Sequence, residues 1–252
     1  MDKFYLEYYT DPLCCWSWGL EPQMRKLRYL LKDRLKIRYV MGGLLRDWEH
    51  FSDHLNNISK PSQMGPLWVE AKHLSGQPID EHMWVKNPVD TSYLSCMAVK
   101  AAEQQSSIAG EAMLRKLREA VMIYKKNIGN IDVIMDIAGE LEEKNLLNKK
   151  SFRDSLFSDD SSHLFREDLE LVKIKGISRF PTILITYRGR TVQITGYRPF
   201  SVLMATFELL EPALNVNLVV NRKEYINSWQ NLTDRELQEI STNLEKKDCL
   251  VT

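Results

Sequence analysis

Apolar and aromatic side chains alternate along Lys3–Thr10, with Phe4, Leu6 and Tyr8 on one face and Tyr5 and Tyr9 on the other. That period of two predicts a β-strand. After the turn Asp11-Pro12-Leu13 the spacing changes. Trp18, Leu27, Leu30 and Leu31 mark a helix, and Pro22 falls in its opening stretch, where a missing N–H does least harm. Leu35–Met41 reads as a second strand, ended by Gly42-Gly43. The opening of the chain is therefore a β-α-β unit whose two strands are expected to run parallel.

From about Trp48 to Lys175 the pattern is almost entirely helical. Asn87-Pro88 precedes an apolar-periodic run through Tyr93, Leu94, Met97, Ala98 and Ala101. Glu111–Lys125, Val133–Lys144 and Ser162–Lys175 show the same spacing between Gly and Asn punctuation. Strand character returns at Thr182–Tyr187 and Val192–Thr195, and the tight link Arg188-Gly189-Arg190 predicts an antiparallel hairpin. A helix from Ser201 to about Leu210 follows, and Thr233-Asp234-Arg235-Glu236 has the capping-box pattern that starts a terminal helix. The order β-α-β, helical block, β-β-α predicts an α/β fold. No repeat, low-complexity tract or Ser/Gly/Pro linker separates the helical block, so it is expected to pack on the sheet.

Composition narrows the function classes. The 252 residues carry 34 Lys+Arg against 34 Asp+Glu, which removes the basic footprint of a nucleic-acid binder. No apolar run approaches the roughly 18 residues of a membrane span, and Met1–Thr10 has none of the regions of a secretory leader. Four cysteines, Cys14, Cys15, Cys96 and Cys249, are too few and too irregularly spaced for a disulfide framework. A reducing cytoplasm is the expected compartment.

The chemistry concentrates in Asp11-Pro12-Leu13-Cys14-Cys15-Trp16-Ser17-Trp18-Gly19. Cys14 is placed where strand turns into helix, and unpaired N–H groups there favour a thiolate. This predicts a pKa below the ~8.5 of a free thiol. Ser17, three residues on, shares its face; Cys15 points elsewhere and reads as a small apolar residue under the sheet edge. Adjacent Cα atoms lie ~3.8 Å apart, below the disulfide range, so Cys14 and Cys15 pair only with strain. A second constellation, Gly176 to Thr182, opens the hairpin's first strand with Pro181. On its own that proline reads as a trans edge residue.

Together these segments resemble the DsbA-like group of thioredoxin-fold proteins, in particular the cytoplasmic bacterial branch that groups with 2-hydroxychromene-2-carboxylate isomerases. The resemblance runs from about Phe4 to Phe207. It is carried by Asp11 to Gly19, Gly42-Gly43-Leu44, Pro78-Ile79-Asp80 with Trp84 and Pro88, Ser92-Tyr93, and Ala98 to Ala102. Leu117 to Ala120 with Asn127-Ile128-Gly129, and Phe180-Pro181-Thr182 with Gly196-Tyr197-Arg198-Pro199, complete it. It implies a thioredoxin fold with a helical insertion; with the element order this divides the chain into a thioredoxin-like domain over 1–47 and 176–211, a helical insertion over 48–175 and a C-terminal helical extension over 212–252. It also implies a cis Pro181 facing Cys14, with Phe180 beside the substrate thiol and Cys15, Trp16 and Thr182 contributing to the binding surface. The family's dithiol pair needs a cysteine at position 17, where this chain has Ser17.

The resulting expectation is a monothiol thiol–disulfide oxidoreductase with Cys14 as nucleophile and Ser17 supporting its thiolate. It holds no tightly bound cofactor; glutathione or another external thiol serves as co-substrate. Its substrates are protein thiols and disulfides or a small glutathione-linked molecule. The alternatives are a glutathione-dependent isomerase or transferase, a redox-idle adaptor that binds a protein client, and a soft-ligand site for a thiophilic metal or arsenite at Cys14-Cys15. His50 and His54, with Glu49 and Asp53, have metal-ligand spacing but no third ligand, and read as a solvated helix face. Cys96 reads as core, Cys249 as an incidental thiol near the terminus.

Overall fold

A computed structural model describes residues 2–229 and 231–241. Strands β1 (Phe4–Thr10) and β2 (Leu35–Met41) pair in parallel from Phe4↔Leu35 to Thr10↔Met41. Strands β3 (Thr182–Tyr187) and β4 (Arg190–Thr195) form an antiparallel hairpin. Arg188 and Gly189 both take positive φ there, at 47° and 78°, the twist that a two-residue hairpin turn requires. β3 pairs antiparallel with β1, giving the order β2-β1-β3-β4.

The alternation in β1 sorts the two faces. Phe4, Leu6 and Tyr8 share a core with Ile183 and Ile185, covered by helices α2 (Glu21–Leu31) and α10 (Phe200–Leu210). On the opposite face Tyr9, Val40 and Leu184 meet Ile177. Helices α3 (Met64–Ser75), α4 (Met83–Lys86), α5 (Tyr93–Glu103), α6 (Ser107–Met122), α7 (Ile131–Glu143), α8 (Lys149–Leu156) and α9 (Asp159–Ile174) lie between the two halves of the sheet in the chain. Their core is continuous with Leu13, Cys15, Trp18 and Met41, so the helical block sits directly on the Cys14 end of the sheet. Trp68 and Trp84 pack edge to face at its centre, with centroids 5.1 Å apart.

The first helix departs from expectation: α1 (Cys15–Gly19) ends before α2 begins, with Leu20 between them. Pro22 has no N–H to return to the carbonyl of Trp18, and the Gln77 side-chain amide donates to that carbonyl instead, at 3.4 Å. Residues 48–60 are also not helical. Asp47 and Asp53 carboxylates accept from the amides of His50 and of Leu55 and Asn56, holding turns in place of a helix. The region of His50 and His54 is thus a pair of turns, not a helix face. Three downstream helices begin a few residues earlier than their apolar spacing indicates, because Ser106, Asn130 and Ser158 cap them with side-chain acceptors; Asn148 caps α8, which the spacing does not single out, in the same way.

After α10 the chain runs to α11 (Arg222–Ser228) and α12 (Asp234–Ser241). The expected capping box is formed reciprocally: the Glu236 amide donates to Thr233 Oγ1 at 3.2 Å and the Thr233 amide to Glu236 at 2.7 Å. Cys249 lies outside the described residues.

Candidate functional site

Asp11, buried completely, organises the loop that carries Cys14. One carboxylate oxygen accepts the amide of Leu13 at 2.8 Å. The other accepts the Leu44 amide at 2.7 Å, the Ser92 hydroxyl at 2.9 Å and the Cys96 thiol at 3.3 Å. Three segments, the strand-to-helix turn, the loop after β2 and the start of α5, meet on one side chain. Burial raises the Asp11 pKa, and the backbone donors Leu13 and Leu44 pull it back. Cys96, expected as plain core, is buried among apolar neighbours but also donates to this carboxylate; burial and Asp11 push its thiol well up.

Cys14 is the N-cap of α1, and its Sγ accepts the Ser17 amide at 3.4 Å. The thiol also reaches the carbonyl oxygen of Phe180 at 3.5 Å. Phe180–Pro181 is a cis peptide bond, and the Pro181 carbonyl is held by the Gly196 amide at 2.7 Å. Thr182, buried, turns its hydroxyl back to the Arg179 carbonyl at 2.8 Å. Cys14, Ser17, Phe180, Pro181 and Thr182 are thus gathered at one end of the sheet, although 166 residues separate Cys14 from Phe180.

The thiol is not activated as its helix-start position predicts. Cys14 is only 4 % exposed. Burial raises its pKa, the dominant effect; the Ser17 hydroxyl and amide oppose it, and Asp11 adds to it. The expected lowering is therefore reversed, because a five-residue helix start offers less than desolvation removes. Ser17 Oγ, buried, has no hydrogen-bond partner among the described residues, which leaves it free to turn toward the sulfur. Arg118, buried below the loop, donates to Thr10 Oγ1 and to Glu21, and its charge favours the Cys14 thiolate.

Trp16 is half-buried and packs against Tyr197 with centroids 6.2 Å apart. Cys15 is not brought to the same surface: it is packed in the helical core, and burial pushes its thiol well up. The two adjacent thiols therefore occupy different environments. Among the described residues one side-chain group has metal-ligand spacing, Asp80, Glu81 and His82, but Lys125 and Lys72 already engage its two carboxylates.

Gly42 was legible only as a strand terminator. A Cβ there would fall 2.1 Å from the Phe180 ring, so the glycine lets that ring lie flat on the backbone after β2. Asp11 and Arg118 lie in segments that carry the resemblance, but nothing local in the sequence marks Asp11 as the anchor of the loop or Arg118 as the charge beneath Cys14.

A four-stranded mixed sheet in this order, with a cysteine at its strand-to-helix turn opposite a cis-proline loop and a helical block between its halves, defines a DsbA-like thioredoxin fold. The family model described as thioredoxin matches residues 8–205, and the chain belongs to that family. It is 26% identical over 255 aligned positions to the ClpXP adapter protein SpxH of Halalkalibacterium halodurans, an alignment covering 96% of this chain and 82% of that protein. In fold it is similar to the cytosolic disulfide reductase DsbM from Pseudomonas aeruginosa, with TM-score 0.64, 20% identity, and coverage of 81% of this chain and 99% of that one. It is also similar to a 2-hydroxychromene-2-carboxylate isomerase, with TM-score 0.57, 15% identity, and coverage of 82% and 95%. No helix among the described residues is long and apolar enough to cross a membrane.

Proposed function

We propose that this chain is a thioredoxin-fold adaptor that binds a protein client and presents it to an AAA+ protease of the ClpXP type. The observation that carries this reading is the state of the thiol site: a single, nearly covered Cys14 whose pKa is raised, with Ser17 where a resolving thiol would stand. A dithiol exchange enzyme needs a second sulfur to release a mixed disulfide, and a low-pKa thiol to form one. Ser17 stands at the resolving position, and the burial of Cys14 works against its thiolate. The name ClpXP adapter, borne by a relative that aligns over nearly the whole chain, points the same way. On this reading the loop around Phe180 and Trp16 is a recognition surface whose shape persists while its redox chemistry is idle.

A second reading keeps Cys14 as the nucleophile of a monothiol oxidoreductase or a glutathione-dependent isomerase. It is favoured by the Ser17 amide and hydroxyl, both placed to stabilise a thiolate once the sulfur is uncovered. One experiment with two arms separates them. Affinity of the purified chain for ClpX is measured by anisotropy, and turnover of a glutathionylated peptide by reduced glutathione is followed in parallel, each for wild type and Cys14→Ala. The adaptor reading expects ClpX binding unchanged by Cys14→Ala and turnover no faster than the uncatalysed exchange. Turnover that Cys14→Ala abolishes, without ClpX binding, establishes the enzyme reading.

A further inference from the structure

Away from Cys14, a cavity of about 600 Å³ opens between α2, α6, the end of α7 and α11 with the residues that follow it. That volume is within the usual range of small-molecule sites. We infer that this cavity is a binding site for an amphipathic organic anion, a carboxylate or sulfonate carried on an apolar body.

Three observations carry the inference, none of which depends on the adaptor reading. First, the lining is mixed: Ala112, Leu141 and Leu146 are apolar, while Arg25, Arg28 and Trp229 offer donors. Second, among the described residues two of these side chains have buried donors that make no hydrogen bond. Arg25 is 7% exposed, yet its Nε and Nη1 make no hydrogen bond among the described residues. They reach Glu21 and Glu236 only at ion-pair distances, 3.6 and 3.3 Å. Trp229 Nε1 is likewise buried without a partner, beneath the guanidiniums of Arg25 and Arg28 at 4.8 and 5.7 Å from its ring. Buried donors of this kind are rare in native proteins unless a ligand or water completes them.

Third, one cation of the lining has no partner. Six basic and four acidic side chains line the cavity among the described residues, and Glu236 and Glu140 pair with Arg25, Arg115 and Lys116 from beside it. The acids are already engaged: Glu111 by Arg28, Glu119 by Arg115 and Lys116, Glu224 by Lys32, and Glu21 by Arg118 and Arg115. Lys144 stands exposed at the rim with no carboxylate on it among those residues. An acceptor-rich head satisfies Arg25 and Trp229, and its apolar body covers Ala112 and Leu141.

The test uses 8-anilinonaphthalene-1-sulfonate as probe, titrated into the intact chain by fluorescence, with the uncharged N-phenyl-1-naphthylamine as its comparison. Saturable one-to-one binding of the sulfonate is expected, at least tenfold tighter than that of the uncharged amine. Ala112→Trp fills the cavity from α6 and is expected to weaken binding at least tenfold. Lys144→Glu, at an exposed position, is expected to weaken it about threefold. Cys14→Ser is expected to leave the titration unchanged. The inference is overturned if the sulfonate does not saturate, if the two probes bind equally, or if Lys144→Glu leaves its affinity unchanged. It is also overturned if Cys14→Ser abolishes binding, which places the probe in the thiol groove.

Discussion

The sulfur of Cys14 lies 3.5 Å from the carbonyl oxygen of Phe180, and the Phe180 ring lies over the backbone of Gly42. The residue before the cis-proline therefore closes the thiol from one side while Ser17 holds it from the other. This contact makes the resting site a covered thiol whose neutral form is favoured. Alkylation by iodoacetamide, followed by mass spectrometry of the Cys14 peptide against pH, is expected to show a midpoint above the ~8.5 of a free cysteine. Reaction at pH 7 should be slow, and Cys14→Ala should remove that phase. A midpoint well below 8 would mean that the closed arrangement is a minor state in solution.

Ser17→Cys is expected to restore dithiol chemistry. Position 17 is fully buried, its amide already donates to Cys14 Sγ, and its Oγ has only that sulfur to turn to among the described residues, so a sulfur there faces Cys14. Under mild oxidant the variant should lose two hydrogens in mass, and peptide mapping should assign the bond to Cys14 and the thiol introduced at position 17. Absence of that bond in the folded variant would show that the side chain at 17 does not reach the sulfur.

The sheet was readable because β1 alternates cleanly and because Arg188-Gly189 can form only a tight turn. β2 and β3 have the expected bounds, whereas β4 begins at Arg190, two residues before the expected Val192, because the turn takes only Arg188 and Gly189. The gathering of Cys14 with Phe180 and Pro181 was not visible as contact, since the two segments meet only through the β1–β3 pairing. It came instead from resemblance. What local pattern could not carry is burial. Reading Cys14 at a helix start suggests a stabilised thiolate, but desolvation is a property of the assembled site and reverses the sign. Asp11 was missed on the same ground: its donors come from positions 13, 44, 92 and 96, and only the fold brings them together. The break at Leu20 was in principle legible, since a proline at position 22 cannot serve the carbonyl four residues before it.

Gly42→Ala is expected to uncover the thiol. The new methyl group would overlap the Phe180 ring, which is partly exposed and has room to swing outward, so the ring moves in preference to the backbone. The Cys14 alkylation rate at pH 8 should rise severalfold with little loss of thermal stability. If the rate is unchanged while the melting temperature drops, the strain has gone into β2 and the Phe180 ring is not the cover.

Glu236 is expected to be the most sensitive charge in the C-terminal segment. Its carboxylate is fully buried and accepts from Arg115 at 2.7 and 3.1 Å, with Arg25 at 3.3 Å, so α12 is clamped onto both α2 and α6. Removing one partner of an isolated buried pair costs about 3–5 kcal/mol. Arg115 keeps Glu119 and Arg25 keeps Glu21, so Glu236→Gln should lower stability in urea by less than that, and hydrogen exchange should be fastest across 234–241. The same cluster is expected to contribute to the acid sensitivity of the fold. Burial disfavours the Glu21 carboxylate, but Arg118, Arg115 and Arg25 outweigh it and hold its pKa below the usual range. A depressed folded pKa means that the stabilisation is fully present above the unfolded value of ~4.3 and is lost as pH falls through the folded one. Urea midpoints measured downward from pH 5 should fall steeply below about pH 4 in wild type. Glu21→Gln should start from a lower stability at pH 5 and show a shallower decline, and an unchanged slope in that variant would assign the acid sensitivity to other carboxylates.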